Sequence, residues 1–253
     1  MRANGWKSLV LAVLVAGYLP FLTAPPAHAD DAALLSELRA NLSEKPSSVR
    51  KSLLPGLYGV YFNSSEPRTF VDRQFTYIGN QATGYMYLSG SRRGQDLTAQ
   101  ESQQLFRDFL AAIPRAKLIA YHFGTGRRVV FLFTAYDCPN CRALEREFLR
   151  KSKTLNATIY LIPTSLQYSS DTRAKSLLKN VLCAADPVAA WKALILKGQA
   201  PVAEQCPENP DDYAFLSRSF PVKFPLTVPT AVTLDGHIYP MVLPQFDDVF
   251  RGK

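Results

Sequence analysis

Val129-Val130-Phe131-Leu132-Phe133-Thr134-Ala135-Tyr136-Asp137-Cys138-Pro139-Asn140-Cys141 is the stretch on which the fold turns. Its first five residues are apolar without alternation, as in a strand covered on both faces. Beyond it, Cys141, Leu144 and Phe148 recur at helical spacing, so Cys141 begins the buried stripe of a helix. Pro139 suits the first helical position, where a missing N–H costs nothing, and that puts Cys138 at the N-cap. A sulfur there faces unpaired backbone N–H groups and the positive end of the helix dipole, and both favour thiolate over thiol. A nucleophilic sulfur with a second thiol one helical turn behind it is the arrangement of a dithiol–disulfide exchange centre.

Upstream, residues 1–29 have the layout of a cleavable secretory signal. Arg2 and Lys7 give the positive start, Leu9 to Ala16 the apolar stretch, and Ala27-His28-Ala29 the small-residue cleavage site. The apolar stretch is too short for a membrane span, and no cysteine follows the cut to carry a lipid. A retained signal anchor is the competing reading, and the cleavage site argues against it. The mature chain is expected to begin near Asp30, in an oxidising space that suits thiol–disulfide chemistry.

The net charge is +8, and loss of Arg2 and Lys7 with the signal brings it to about +6. The cations are dispersed. Arg142, Arg146 and Arg150 form a stripe on the helix behind the motif, read as a solvated face rather than a binding patch. No aromatic-and-basic motif of a nucleic-acid module is present, so nucleic acid is not an expected partner.

The first half is built differently. Leu34, Leu35, Leu38 and Leu42 mark a short amphipathic helix. Gly56 to Phe62, Thr69 to Val71, Phe75 to Ile78 and Tyr85 to Leu88 are aromatic and β-branched runs, punctuated by Asn63-Ser64-Ser65 and Gly79-Asn80. They predict a small antiparallel sheet with one helix, which would gain from covering a face with a second copy. Ser89 to Gln95 reads as a break. Thr98 and Glu101 then match a capping box, and Leu105, Phe106, Phe109, Leu110 and Ile113 line one face of a helix that Pro114 ends. It is either a connector between domains or an internal helix of the second.

From Ala116 onward, Lys117 to Tyr121 is a possible strand and Gly124-Thr125-Gly126 a turn. Strand 129–133, a helix from Pro139 to about Lys153 and strand Thr158 to Ile162 complete one βαβ unit. Asp171 to Gln205 turns helical, with Asp186-Pro187 opening and Gly198 closing one helix. A further helix is expected from Pro210 to Phe220. Pro229 precedes strand Thr230 to Leu234, which Asp235-Gly236 joins to Ile238 to Val242, and a short helix, Gln245 to Phe250, follows. Strand–helix–strand, a helical insert, a hairpin and a helix make a thioredoxin fold with an insertion. In that fold Pro229 takes a cis peptide bond, and its loop packs against the cysteine motif and offers backbone to a client. Pro139, Asn140, Val228 and Pro229 are therefore the expected substrate-binding residues.

Four cysteines permit three pairings. Cys138 with Cys141 suits a redox centre and leaves Cys183 with Cys206 as a structural bridge. Closing that loop of about 24 residues contributes roughly 3 kcal/mol on the chain-entropy model. Two structural disulfides is the alternative, although a bridge across so short a loop at a helix start is the labile kind. Zinc is the other, and is disfavoured. Cys183 and Cys206 are not a close pair, and neither His122 nor His237 sits at ligand spacing. No metal and no cofactor is expected.

These residues resemble the DsbC/DsbG family of periplasmic disulfide isomerases. The resemblance runs through Leu54-Pro55-Gly56-Leu57-Tyr58, Gly84-Tyr85-Met86-Tyr87-Leu88, Asp96-Leu97-Thr98, Phe133-Thr134, the Cys-Pro-Asn-Cys motif, Cys183-Ala184-Ala185-Asp186 with Cys206, and Val228-Pro229-Thr230-Ala231. It implies four parts: a signal peptide over 1–29, a cystatin-like α+β dimerisation domain over 30–95, a linker helix over 96–115, and an α/β thioredoxin-like catalytic domain with a helical insertion over 116–253. It further implies a V-shaped periplasmic homodimer with a cleft for unfolded or misoxidised exported clients, catalytic at Cys138 and Cys141, and a DsbD-type membrane electron donor. The sequence departs from the family in having Pro139-Asn140 between the cysteines where Gly-Tyr or Pro-Tyr is usual. It has Val228 where Thr usually precedes the cis-proline, as in the DsbA oxidases, and Ser219 to Leu226 lacks the usual glycine. Asp137 beside Cys138 is expected to oppose the thiolate, with Arg142 partly offsetting it. An oxidase, or a dedicated chaperone or assembly factor for a secretion or conjugation apparatus, are the competing readings.

Overall fold

The computed structural model describes residues 31–251 apart from 203–204, 222–226 and 241. The expected signal segment, 1–29, lies outside the described residues.

Helix α1 (Asp31–Asn41) is followed by five strands: β1 (Ser48–Lys51), β2 (Leu57–Tyr61), β3 (Thr69–Asp72), β4 (Tyr77–Asn80) and β5 (Gly84–Tyr87). They form one antiparallel sheet in sequence order. Side chains alternate across it as the pleat requires. Tyr58, Val60 and Val71 pack with Leu34 and Leu38 of α1 on one face. Leu57, Phe70 and Tyr85 point to the other. The chain thus covers both faces of its own sheet, and a second copy is not needed to bury either.

Three local expectations change. Strand β1 escapes the hydrophobic pattern because Val49 is its single buried residue and it lies at the sheet edge. Phe75 lies in a turn at φ 60° rather than in β4. That turn is held by the buried Asp72 carboxylate, which accepts from the N–H groups of Thr76 and Tyr77, each at 2.8 Å. Gly79-Asn80 lies inside β4 instead of breaking it. Glycine is needed there because Tyr85, directly opposite on β5, leaves a Cβ only 2.5 Å from its ring.

Helix α2 (Ala99–Ala112) starts with the expected capping box, Thr98 and Glu101 bonding each other's backbone N–H. Its buried residues, Phe106, Phe109 and Leu110, join the N-terminal sheet to the second half through stacked aromatic edges. Tyr85 meets Phe109 at 6.2 Å, Phe106 meets Phe220 at 5.2 Å, and Phe220 meets Phe133 at 5.8 Å between ring centres. Tyr85 Oη also donates to the Ser219 carbonyl at 2.6 Å, in a buried bond. Arg218 pairs with Glu66 at 2.6 Å. The helix is thus a wall of one core to which both sheets contribute.

The second half comprises β6 (Ile119–Ala135), α3 (Pro139–Lys151), β7 (Ala157–Thr164), α4 (Thr172–Cys183), α5 (Pro187–Lys197), α6 (Pro210–Ala214), β8 (Thr230–Thr233), β9 (Ile238–Pro240) and α7 (Phe246–Phe250). Its sheet has the order β7-β6-β8-β9. β6 has two arms. From Val129↔Thr158 to Ala135↔Thr164 it runs parallel to β7. From Ile119↔Leu161 to His122↔Thr158 its partners descend as the chain advances. Both arms pair with residues 158–161, so they lie on the two edges of β7, and the chain doubles back through Gly124 and Gly126, both at positive φ. The unalternating apolar run has the expected cause: Val130 and Leu132 face the core under α3, α5 and α7, while Phe131 and Phe133 face the core under α2.

The helix expected over 210–220 is shorter. α6 stops at Ala214 and a 3₁₀ turn covers Leu216–Ser219. Tyr213, Leu216 and Phe220 reach the core beneath α2, whereas Phe215 turns into the other core, and one straight helix cannot serve both.

Candidate active site

β6 and β8 are antiparallel, with Phe133 opposite Thr230. The residues that follow β6 therefore meet those that precede β8, at one end of the sheet. Cys138 and Val228-Pro229 come together there, and the Val228–Pro229 peptide bond is cis. The thiol of Cys138 donates to the Val228 carbonyl at 3.8 Å.

Cys138 is the N-cap of α3, with Pro139 in the first turn. Its sulfur accepts from the N–H of Cys141 at 3.4 Å, using one of the donors that a helix start leaves free. Pro139 and Asn140 are exposed at the rim, while Cys138 itself is 5 % exposed. The sulfur is less open than the sequence reading expects, because the Val228 carbonyl lies against it. Val228 is half-buried and Pro229 buried.

Cys141 is the more enclosed of the two. It is 1 % exposed and its sulfur accepts from the Ala135 N–H at 3.4 Å. Burial, reinforced by the Cys138 sulfur, pushes its thiol up to about 12. Both sulfurs are free thiols, while Cys183 and Cys206 form the disulfide, with Cα atoms 5.4 Å apart. That bridge ties the last residue of α4 to the chain beyond α5, and Lys179 Nζ reinforces it by donating to the Cys206 carbonyl at 2.6 Å.

Asp137 is not directed at the thiol. Its carboxylate accepts from Ser165 Oγ at 2.7 Å and from the Leu166 N–H at 2.9 Å, and so ties the motif to the end of β7. Arg142 is not directed there either: its Nε donates to the Ile195 carbonyl at 2.8 Å, at the end of α5. Arg150 pairs with Glu147. Two of the three arginines on the α3 stripe are therefore already engaged, and the stripe is not a free cationic patch.

No protein-family model matches the chain. Over 129 residues it is 26% identical to the probable thiol:disulfide interchange protein DsbC of Bordetella pertussis, a stretch that covers 51% of this chain and 44% of that protein. It is 25% identical over the same length to the corresponding protein of Bordetella bronchiseptica. The chain is similar to these DsbC proteins over about half of its length. It spans less than half the length of the curated relatives it matches. Among solved structures, the disulfide interchange protein from Neisseria gonorrhoeae is 26% identical, with a TM-score of 0.43 over 53% of this chain and 94% of that one. Helicobacter pylori DsbG is 11% identical, with a TM-score of 0.37 over 79% and 98%.

A buried carboxyl lies on the same helix as the cysteines. Glu145, one helical turn after Cys141, is 2 % exposed and accepts from Tyr121 Oη at 2.6 Å. Burial raises its carboxyl above the ordinary range, with Tyr121 and Lys192 acting against that rise. The sequence carried a usable signal, since position 145 falls on the buried stripe of Cys141, Leu144 and Phe148. Charge alone argued for an exposed place.

Proposed function

We propose that the protein is a periplasmic thiol:disulfide interchange enzyme that isomerises or reduces disulfides in misoxidised exported proteins through Cys138 and Cys141. The observation that carries this reading is the division of labour between the two sulfurs. Cys138 takes a helix N–H at a rim shared with a cis-proline loop, and Cys141 is a buried thiol held protonated.

In the first step the Cys138 thiolate attacks one sulfur of a client disulfide. A Cys138–client disulfide forms, and the other client sulfur leaves as a thiolate. Two exits follow. A client thiolate can attack the client sulfur of the mixed disulfide, which releases Cys138 as thiolate and leaves the client with a new disulfide and no net redox change. Alternatively Cys141, once deprotonated, attacks Cys138. That releases the client reduced, and two electrons pass from the pair to the client.

The protonation of Cys141 decides between the exits. With burial pushing its thiol up to about 12, Cys141 is overwhelmingly the protonated thiol at neutral pH. Loss of the Cys138 thiol in the mixed disulfide relieves part of that shift, but burial, its main cause, remains. Slow resolution lengthens the life of the mixed disulfide and favours isomerisation. Each turnover through the second exit leaves the pair oxidised, so a membrane reductant of the DsbD type belongs to the same reading. The exposed Pro139 and Asn140, with Val228 and Pro229, would take the client backbone.

The division into an N-terminal domain (30–95), a linker helix (96–115) and a thioredoxin-like domain (116–253) is part of the proposal, as is a homodimer formed through the first. Because α1 and α2 occupy both faces of the N-terminal sheet, the second copy would meet it at an edge. The test is to express Cys141→Ala in the native host and identify what is trapped on Cys138. A ladder of cysteine-rich exported proteins is the expected result. One dominant partner would favour a dedicated assembly factor instead.

A further inference from the structure

At the opposite end of the catalytic sheet from the cysteines, about 20 Å away along β6, lies an open cleft of about 580 Å³. Arg127, Arg128 and Arg251 line it together with Asn156, Thr233 and Asp235. Consecutive residues of a regular strand point to opposite faces, so two adjacent arginines should not share one cleft. Here they do, because Arg127 and Arg128 both stand opposite Ala157, two residues against one, with the register shifting between them. A bulge of this kind re-aims a side chain.

The charges do not cancel. The one carboxylate among the described lining residues, Asp235, already accepts from Thr233 Oγ1 at 2.5 Å, and that bond holds it below the usual carboxylate range. Arg251 lies 3.2 Å from Asp247, outside the cleft lining. Among the described residues, Arg128 reaches the Tyr239 hydroxyl, at 3.5 Å. Bringing guanidinium groups into one concavity costs Coulomb energy that an anion between them would reverse. Two guanidinium forks match the oxygens of a phosphate group.

We propose that this cleft binds a phosphate group, held by Arg127 and Arg128, at a site separate from the redox centre. The chemistry is that of a phosphate monoester or diester, supplied either by a free solute or by a lipid headgroup.

The test uses the full-length mature protein labelled for arginine Nε–H resonances. It is titrated with inorganic phosphate against sodium chloride of equal ionic strength, then with phosphatidylglycerol vesicles against phosphatidylcholine vesicles. Saturable shifts of Arg127 and Arg128 with phosphate are expected if the ligand is a free solute. Shifts with phosphatidylglycerol vesicles alone point to a headgroup, and either result supports the site. Arg127→Gln with Arg128→Gln should weaken the responsive titration roughly tenfold or more, since each charge-assisted hydrogen bond is worth more than one decade in affinity. Insulin reduction by the same variant should match wild type, because the cysteines are at the far end of the sheet. No shift with phosphate or with either vesicle, or a titration equally strong in the double variant, overturns the proposal.

Discussion

The carbonyl oxygen of Val228 accepts from the thiol of Cys138, across 90 residues of sequence and a distance of 3.8 Å. That contact exists because β6 and β8 are antiparallel, with Phe133 opposite Thr230, which sets the loop before β8 beside the N-cap of α3. It puts a backbone acceptor next to the sulfur that we propose attacks the client disulfide. Several consequences of this geometry and of the packing behind it can be measured.

Cys138→Ser should reduce insulin reduction and isomerisation of a scrambled disulfide substrate to the uncatalysed rate. Cys141→Ala should keep isomerase activity while losing most reductase activity, because only the second exit needs the buried thiol. A pH series on the wild type should show reductase turnover still rising above pH 8, toward the Cys141 value of about 12.

Asp137→Ala removes the acceptor for both Ser165 Oγ and the Leu166 N–H. Bonds to a charged group are worth about 1.5–3 kcal/mol each, less where solvent reaches them. A loss of about 2 kcal/mol in urea-unfolding stability is expected, with an unchanged slope. Were Asp137 directed at the thiol instead, stability would hold and only the reactivity of Cys138 would change.

Gly79→Ala should destabilise the N-terminal sheet by about 3 kcal/mol, since the new Cβ would clash with the Gly84 carbonyl oxygen and lie 2.5 Å from Tyr85. Ala at Gly90, where φ is positive but the space around it is open, should cost less. Denaturation midpoints of the two variants give the comparison directly.

Tyr85→Phe tests the shared core. The variant leaves the buried Ser219 carbonyl without its partner, at an expected cost of about 1–3 kcal/mol. Both halves should then lose stability together in hydrogen exchange. Destabilisation confined to residues 48–88 would mean that the sheets are not cooperatively joined.

Asp212 offers a pH test. Burial, with Asp211 and Glu208 adding to it and Lys117 opposing, raises its carboxyl to about 6. A group whose folded value exceeds its unfolded one contributes its stability fully below the unfolded value, and that contribution is lost as pH rises through the folded one. Asp212→Asn should therefore flatten the stability profile between about pH 4 and 6 and gain on wild type above that window. An unaltered profile would show that Asp212 carries no such shift.

Much of this architecture is legible in residue chemistry. The capping box at Thr98 and Glu101, the Asp186-Pro187 start and Gly198 stop of α5, and the Cys138-Pro139 entry to α3 each satisfy backbone groups locally, so the sequence announces them. The unalternating run 129–133 reports cover on two faces, which the cores under α2 and α3 then supply through Phe131 and Val130 on opposite sides. What stays hidden depends on distant partners. Gly79 reads as a turn until Tyr85 is set opposite it. Ser48 to Lys51 is too polar to announce an edge strand. Asp137 reads as a charge beside a thiol until Ser165 and Leu166 arrive from the end of β7. Glu145 reads as surface until Tyr121 meets it inside.

The most direct measurement is the population of mixed disulfide on Cys138. Mature Cys141→Ala protein is mixed with a scrambled disulfide substrate, quenched with acid and alkylated, and the adducts are located by mass spectrometry. A substrate adduct on Cys138, accumulating well above that in the wild type, is the predicted result. Cys138 recovered as free alkylated thiol throughout, with the substrate disulfides unchanged, would contradict its role as the attacking sulfur.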